Sequence, residues 1–497
     1  SVMYGVRVDI PYSDHKPPYN AGAAAAFGYP NNYAVGSSNR VVEPRLSFNY
    51  NFEGDRMMQL RGGVGLFQTT PPTVWMTNPY QNNGLTITDY KYGYGSHCGA
   101  KPDFSPDAHN QNIDDSVGCA VAGPVDTISK DFRLPTVWKA ALALDRELPW
   151  WGMIASAEYQ HIQVRNAILY KAINLGTPSG YLPDGREQYW VTPGATKGPN
   201  NGANPAFSTA STLLTNTHKG KADSFTLSLR KPFSENFFGN ASFTLSHSTE
   251  VNSGGSSQAF SSYQYMPRIN PNGNENEISA YNIPRSLKLS LTWQHKFFGD
   301  YNTQISALYL GHDGLPYSWV YSGDANGDGI AYYDLAYIPK LNDALVGAYV
   351  DSKGKPASAQ LVQQFQDYIT NNEYLNAHRG DVAGRNASHL PWSNELDMSF
   401  VQELPGFFKG HKGELRLDVY NFLNLVNKDW GSVPYIQYQT RNLAGYNGVV
   451  DGKYVYKLPT DKNGNYQATP IGVYESGQNP TRVVSRWSAM LTLRYTF

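Results

Sequence analysis

Polar and apolar side chains alternate one for one through many short segments of this chain. A period of two belongs to a strand with two unlike faces; a helix repeats at 3.6. Between residues 285 and 297, Leu287, Leu289, Leu291, Trp293 and Phe297 fall on one face, and Ser286, Lys288, Ser290, Thr292, Gln294 and Lys296 on the other. Leu415, Leu417 and Val419 alternate with Glu414, Arg416 and Asp418. Trp487, Leu491, Leu493, Tyr495 and Phe497 alternate with Arg486, Ser488, Thr492, Arg494 and Thr496. The same pattern covers Ser224 to Arg230 and Trp138 to Asp145, where Trp138, Ala140, Leu142 and Leu144 share one face and the other carries Lys139 and Asp145.

A soluble β-sandwich also alternates, so the connections have to separate the two cases. Here they alternate in length. Short ones lie near 53–55, 149–152, 232–236, 298–301 and 405–413; long ones near 11–40, 68–134, 172–221, 250–282, 315–390 and 425–482. Tight turns at one end and long loops at the other are the pattern of outer-membrane barrels, and a sandwich has no reason to sort its loops this way. Phe52, Trp150, Trp151, Phe233, Phe237, Phe238, Phe297, Phe298, Phe407, Phe408 and the final Phe497 flank the short turns, as an interfacial aromatic girdle requires.

Composition agrees. Only 16% of the 497 residues are charged, below the usual share of about 25%, while there are 36 Tyr. The net charge of −1 gives no electrostatic case for nucleic acid. No stretch approaches the roughly 20 apolar residues of a membrane helix, which leaves a closed barrel as the way to span a bilayer. The expectation is an all-β, transmembrane antiparallel barrel forming one domain over 1–497. Its strands fall near 2–10, 41–52, 56–67, 135–147, 151–171, 222–231, 237–249, 283–297, 301–314, 391–404, 412–424 and 483–497. Ser1 opens directly into strand-like sequence, which reads as a chain whose N-terminal part lies elsewhere.

One chemical motif stands out. Asp324, Asn326 and Asp328, with Gly327 and Gly329, match the first half of a calcium loop, where alternate oxygens converge on a hard cation. The twelfth-position Glu is replaced by Leu335, and Asp334 offers a late carboxylate. The competing reading is a run of Asx turns. Cys98 and Cys119 share one long polar segment and in an oxidising compartment suit a local disulfide. No nucleophile elbow, zinc signature or phosphate loop is present in the sequence. The carboxylates Asp145, Glu414 and Asp418 read as partners of lumenal Lys and Arg, and the expectation is a protein that is not an enzyme.

The run from 378 to 431 carries Arg385-Asn386, Leu390-Pro391-Trp392, Gln402-Glu403-Leu404-Pro405, Asp418-Val419-Tyr420-Asn421-Phe422-Leu423-Asn424 and Lys428-Asp429-Trp430-Gly431. With Leu60-Arg61-Gly62-Gly63-Val64-Gly65-Leu66-Phe67 upstream and the 323–329 segment, this resembles the C-terminal barrel of Oar-like TonB-dependent receptors, the carboxypeptidase-regulatory-like domain family. The resemblance implies an upstream regulatory domain and plug and coupling to TonB; the long Tyr- and Asn-rich loops suit an extracellular protein, peptide or glycan as readily as a metal chelate. It also implies a barrel of about 22 strands, of which about twelve are here, so the chain would be the C-terminal half. Leu491, Leu493, Tyr495 and the terminal Phe497 resemble the signal read by the barrel-assembly machinery. The surroundings would be lipid bilayer and lipopolysaccharide, with long loops extracellular and short turns periplasmic. Two other readings remain open, a passive pore and a surface scaffold or adhesion protein.

Overall fold

The alternating segments pair with their chain neighbours, each antiparallel to the next. The computed structural model describes residues 1–36, 39–69, 73–87, 89–91, 105–110, 119–200, 202–473 and 485–497. Twelve strands form one continuous path: β1 (Val2–Asp9), β2 (Val41–Asn51), β3 (Met58–Gln68), β4 (Thr136–Glu147), β5 (Ile154–Ala172), β6 (Lys221–Ser234), β7 (Phe237–Glu250), β8 (Arg285–Phe298), β9 (Tyr301–His312), β10 (Ser393–Pro405), β11 (Lys412–Tyr420) and β12 (Ser488–Thr496). All twelve expected strands are present, most within a few residues of their sequence-derived bounds.

Register keeps the two faces apart. Phe225 lies opposite Leu245 and Leu227 opposite Phe243, while Thr226 faces Thr244. Leu289 pairs with Tyr309 and Leu291 with Ala307. Leu415 and Leu417 meet Leu493 and Leu491, whereas Glu414 and Arg416 meet Arg494 and Thr492. The apolar face is also the open one: Leu227, Leu245, Leu291, Leu417, Leu491 and Leu493 are all exposed. A contiguous apolar band across neighbouring strands is unstable against water, and it is the surface a bilayer covers. The polar face carries the ion pairs. Arg61 bridges Asp145 at 3.0 Å and Glu158 at 2.9 Å, and Arg416 holds Asp418 at 2.8 Å.

The five short connections fall where expected. Glu235 and Asn236 form a two-residue turn with both φ positive, 51° and 65°. That geometry matches the right-handed twist of the flanking strands. Trp150, Trp151, Phe233, Phe297, Phe298, Phe407, Phe408 and Phe497 project at this end, Phe407 88% exposed and Phe497 93%. Rings this open in water fit a membrane interface.

Two differences have clear causes. The strand expected over 412–424 stops at Tyr420, because Asn421 adopts φ 52° and starts a helical turn, Phe422–Val426. Asn tolerates that left-handed conformation. Of the strand expected from 483, residues 483 and 484 lie outside the described residues, and β12 begins at Ser488. Among the described residues β1 pairs only with β2, and β12 only with β11.

Candidate functional site

The long connections fold against one another at the far end of the sheet. β5 has 19 residues and runs on past its neighbours; Ala167–Ala172 pairs with the strand Thr212–Thr217, which is in turn parallel to Asp126–Ile128. The connections after β9 and β11 build a lobe together. Its mixed sheet runs in the order Val346–Val350, Lys453–Lys457, Thr440–Val450, Pro316–Ser322, Ser388–His389, with two parallel pairs. The helix Ala359–Asn371 covers it. Ser358 caps the helix by accepting from the Leu361 amide, and Leu361, Phe365 and Ile369, spaced at helical intervals, are buried beneath it.

The lobe core is aromatic. Trp319, Tyr321, Phe365, Tyr454 and Tyr456 are fully buried. The Tyr321 and Tyr456 hydroxyls lie 3.0 Å apart, and Tyr456 donates to the Tyr337 carbonyl at 2.8 Å. Burial pushes the Tyr456 phenol well above its ordinary range. The segment after β5 inserts a buried ion pair, Asp184 with Arg186 at 2.7 Å, and Arg186 donates to the Leu335 carbonyl at 2.6 Å. Burial alone would raise the Asp184 carboxyl; the Arg186 charge and hydrogen bonds outweigh it and hold it low.

The calcium-like loop sits where these segments meet. The Trp190 indole donates to the Ala325 carbonyl at 3.1 Å, and the Asn200 amide to the Gly327 carbonyl at 2.9 Å. Gly327 is needed for this approach: its φ is 78°, and a Cβ there would lie 2.5 Å from the Trp190 backbone nitrogen. Asp324, Asn326, Asp328 and Asp334 are brought together, but their oxygens serve the loop itself. Asp324 accepts from the amides of Gly327 at 2.6 Å and Gly329 at 2.9 Å, Asp328 from Ile330 at 2.8 Å, and Asp334 from Ala325 at 2.6 Å and from the Asn326 side chain. Burial raises Asp324 to about 6 and, with the Asp324 charge beside it, Asp328 to about 7; burial, with the Asp328 and Asp324 charges, holds Asp334 well above the ordinary carboxylate range. Among the described residues, no three His, Cys, Asp or Glu side chains are disposed to hold a metal ion.

Of the other residues singled out in the sequence, Cys119 begins the short strand Cys119–Val121, and Cys98 lies outside the described residues. Leu491, Leu493 and Tyr495 lie along one face of β12, with Tyr495 accepting from the Phe407 amide at 3.0 Å. The Asp184–Arg186 pair and the tyrosine core were not foreseen. The Tyr317-Trp319-Tyr321 and Tyr454-Tyr456 alternations were the available signal, hidden within segments otherwise rich in turn residues.

No curated protein sequence matches the chain. Solved structures match at low identity. The outer membrane transporter YddB from Escherichia coli is 12% identical, with a TM-score of 0.42 over 94% of this chain and 42% of that one. A mutant of the ferric enterobactin receptor PfeA from Pseudomonas aeruginosa is 12% identical, with a TM-score of 0.38 over 94% and 42%. The copper transporter OprC is 10% identical, with a TM-score of 0.37 over 99% and 45%. The chain thus spans less than half the length of these proteins. Residues 12–432 match the family described as outer membrane beta barrel domain, and the chain belongs to that family.

Proposed function

We propose that this chain is the barrel portion of an Oar-like TonB-dependent outer-membrane receptor, which captures a substrate with its long loops at the cell surface and passes it across the outer membrane. The observation that carries the reading is the folded loop assembly at one end of the sheet. Loops that share aromatic cores and a buried ion pair present a preformed surface, as a receptor needs and a simple pore does not. The 378–431 resemblance supplies the TonB-dependent class. The pore reading needs β1 and β12 to pair with each other, and in the described residues each has a neighbour on one side only. The test is growth or uptake by cells carrying the complete gene, with and without TonB. Uptake that persists without TonB would refute the reading in favour of the pore.

Two subsidiary proposals belong with it. Calcium at Asp324, Asn326, Asp328 and Asp334 would relieve the mutual repulsion of three buried carboxylates and stiffen the junction of the loops. It requires the loop to exchange its own amide bonds for the cation, and calorimetric titration of the purified receptor with Ca²⁺ tests it. A Cys98–Cys119 bridge would close a loop in the segment between β3 and β4, and mass spectrometry before and after reduction tests it.

A further inference from the structure

Where three of the long connections meet, a niche of about 40 Å³ is lined by Glu250, Tyr265, Arg385, Asn386, Tyr438 and Gln439. Its polar walls are held rigidly. Glu250 accepts from the Ala280 amide at 2.9 Å. Arg385 donates to the carbonyls of Glu250 and Val251. The Gln439 side chain donates to the carbonyls of Ala280 at 2.9 Å and Pro316 at 3.1 Å. At the rim, Tyr265 and Tyr438 stack with centroids 5.7 Å apart and planes 11° apart, and Tyr333 tilts against Tyr265, also at 5.7 Å. A near-parallel pair at that separation is offset, so the two rings tile into a flat surface and do not cover each other. Both are open, Tyr438 61% exposed and Tyr265 50%.

The backbone here is strained as well. Tyr438 and Gln439 have φ of 55° and 54°, and Tyr332, next to Tyr333, has φ of 70°. Bulky residues in the left-handed region are outliers, and such strain gathers at ligand sites. Folding alone would favour glycine at Tyr438. A tyrosine kept there, exposed and stacked, contributes little to any core.

We infer that this niche and its tyrosine platform form a subsite for a neutral saccharide. The chemistry selects the class. One carboxylate and one guanidinium in the lining cancel, so the site offers no net charge to an anionic metal chelate. The volume suits one hydroxyl or hydroxymethyl group, about the space of a water, and is too small for a large peptide side chain. The flat aromatic surface fits the CH face of a pyranose, while Glu250, Arg385 and Gln439 offer fixed acceptors and donors to its hydroxyls. The inference rests on the receptor reading above, for which it names the substrate class.

The test uses the full-length receptor purified in detergent. It is probed on an array of neutral oligosaccharides with a peptide array in parallel, and the best oligosaccharide is then titrated calorimetrically. Expected is saccharide binding that Tyr438→Ala and Tyr265→Ala each weaken by about tenfold, with Tyr438→Phe close to wild type. Tyr438→Gly should raise Tm and still lose binding, which a merely structural tyrosine would not do. Heat-modifiable migration on gels confirms that each variant is folded. No saccharide bound, peptides bound instead, or binding unchanged in Tyr438→Ala overturns the inference. Saccharide binding to purified protein without cellular uptake sinks the transport reading and leaves this one standing. TonB-dependent uptake of another ligand without saccharide binding sinks this one alone.

Discussion

Asp126 shows how a single buried group sets local behaviour. It sits in the strand Asp126–Ile128, accepting from the Asn82 side chain at 2.7 Å and from the Thr212 hydroxyl, with no cation paired to it among the described residues. Burial raises its carboxyl to about 6, more than those hydrogen bonds lower it. A folded-state pKa above the unfolded value means a stabilising contribution that is complete below about pH 4 and lost as pH rises through about 6. The Asp126–Ile128 and Thr212–Thr217 pairing should therefore protect its amides better at pH 5 than at pH 7.5, once intrinsic exchange rates are corrected. Asp126→Asn should flatten that difference, and a pH dependence that survives the substitution would rule out Asp126 as its source. Gly327 makes a second residue-scale case. Gly327→Ala forces a Cβ against Trp190 in a positive-φ position, so it should destabilise the loop assembly by about 2 kcal/mol or more, read as a lower Tm with the barrel band on gels unchanged.

At the scale of elements, the β6–β7 hairpin turns through Glu235 and Asn236 in a conformation that Asn-Gly adopts most readily. The double substitution Glu235→Asn with Asn236→Gly should stabilise the hairpin by about 0.5–1 kcal/mol in a denaturant titration, and a loss of stability would show that the turn is held by something other than its backbone. The two faces of β11 make opposite predictions. Leu417→Arg places a charge in the apolar band and should cost about 2–4 kcal/mol, while Glu414→Leu on the polar face should cost far less. Equal costs would contradict the assignment of faces. Each of these elements was legible in the sequence, because a period of two and a short turn are local properties. The lobe was not. Its strands Pro316–Ser322 and Thr440–Val450 lie more than a hundred residues apart, and their parallel pairing depends on which loops the barrel brings together. Tyr438 and Gln439 were likewise silent, since neither residue type favours the left-handed φ that its surroundings impose here.

For the whole molecule the edges decide most. In a bilayer an unpaired backbone group costs several kcal/mol, so β1 and β12 each need a second neighbour. Refolded alone in micelles, residues 1–497 should give oligomers joined through these edges, and cysteine pairs placed across β1 and β12 should not crosslink within one chain. A heat-modifiable monomer crosslinked between the two strands would show a closed twelve-strand ring. By itself the sequence determined the positions of the twelve strands, the short turns and the face that meets lipid, because alternation and loop length act between chain neighbours. Only the tertiary structure decided that the long connections fold into one assembly, that the Asp324–Asp334 loop spends its oxygens on its own amides, and that Tyr265 and Tyr438 meet over a polar niche. Those outcomes depend on segments distant in the chain, held side by side by the sheet beneath them.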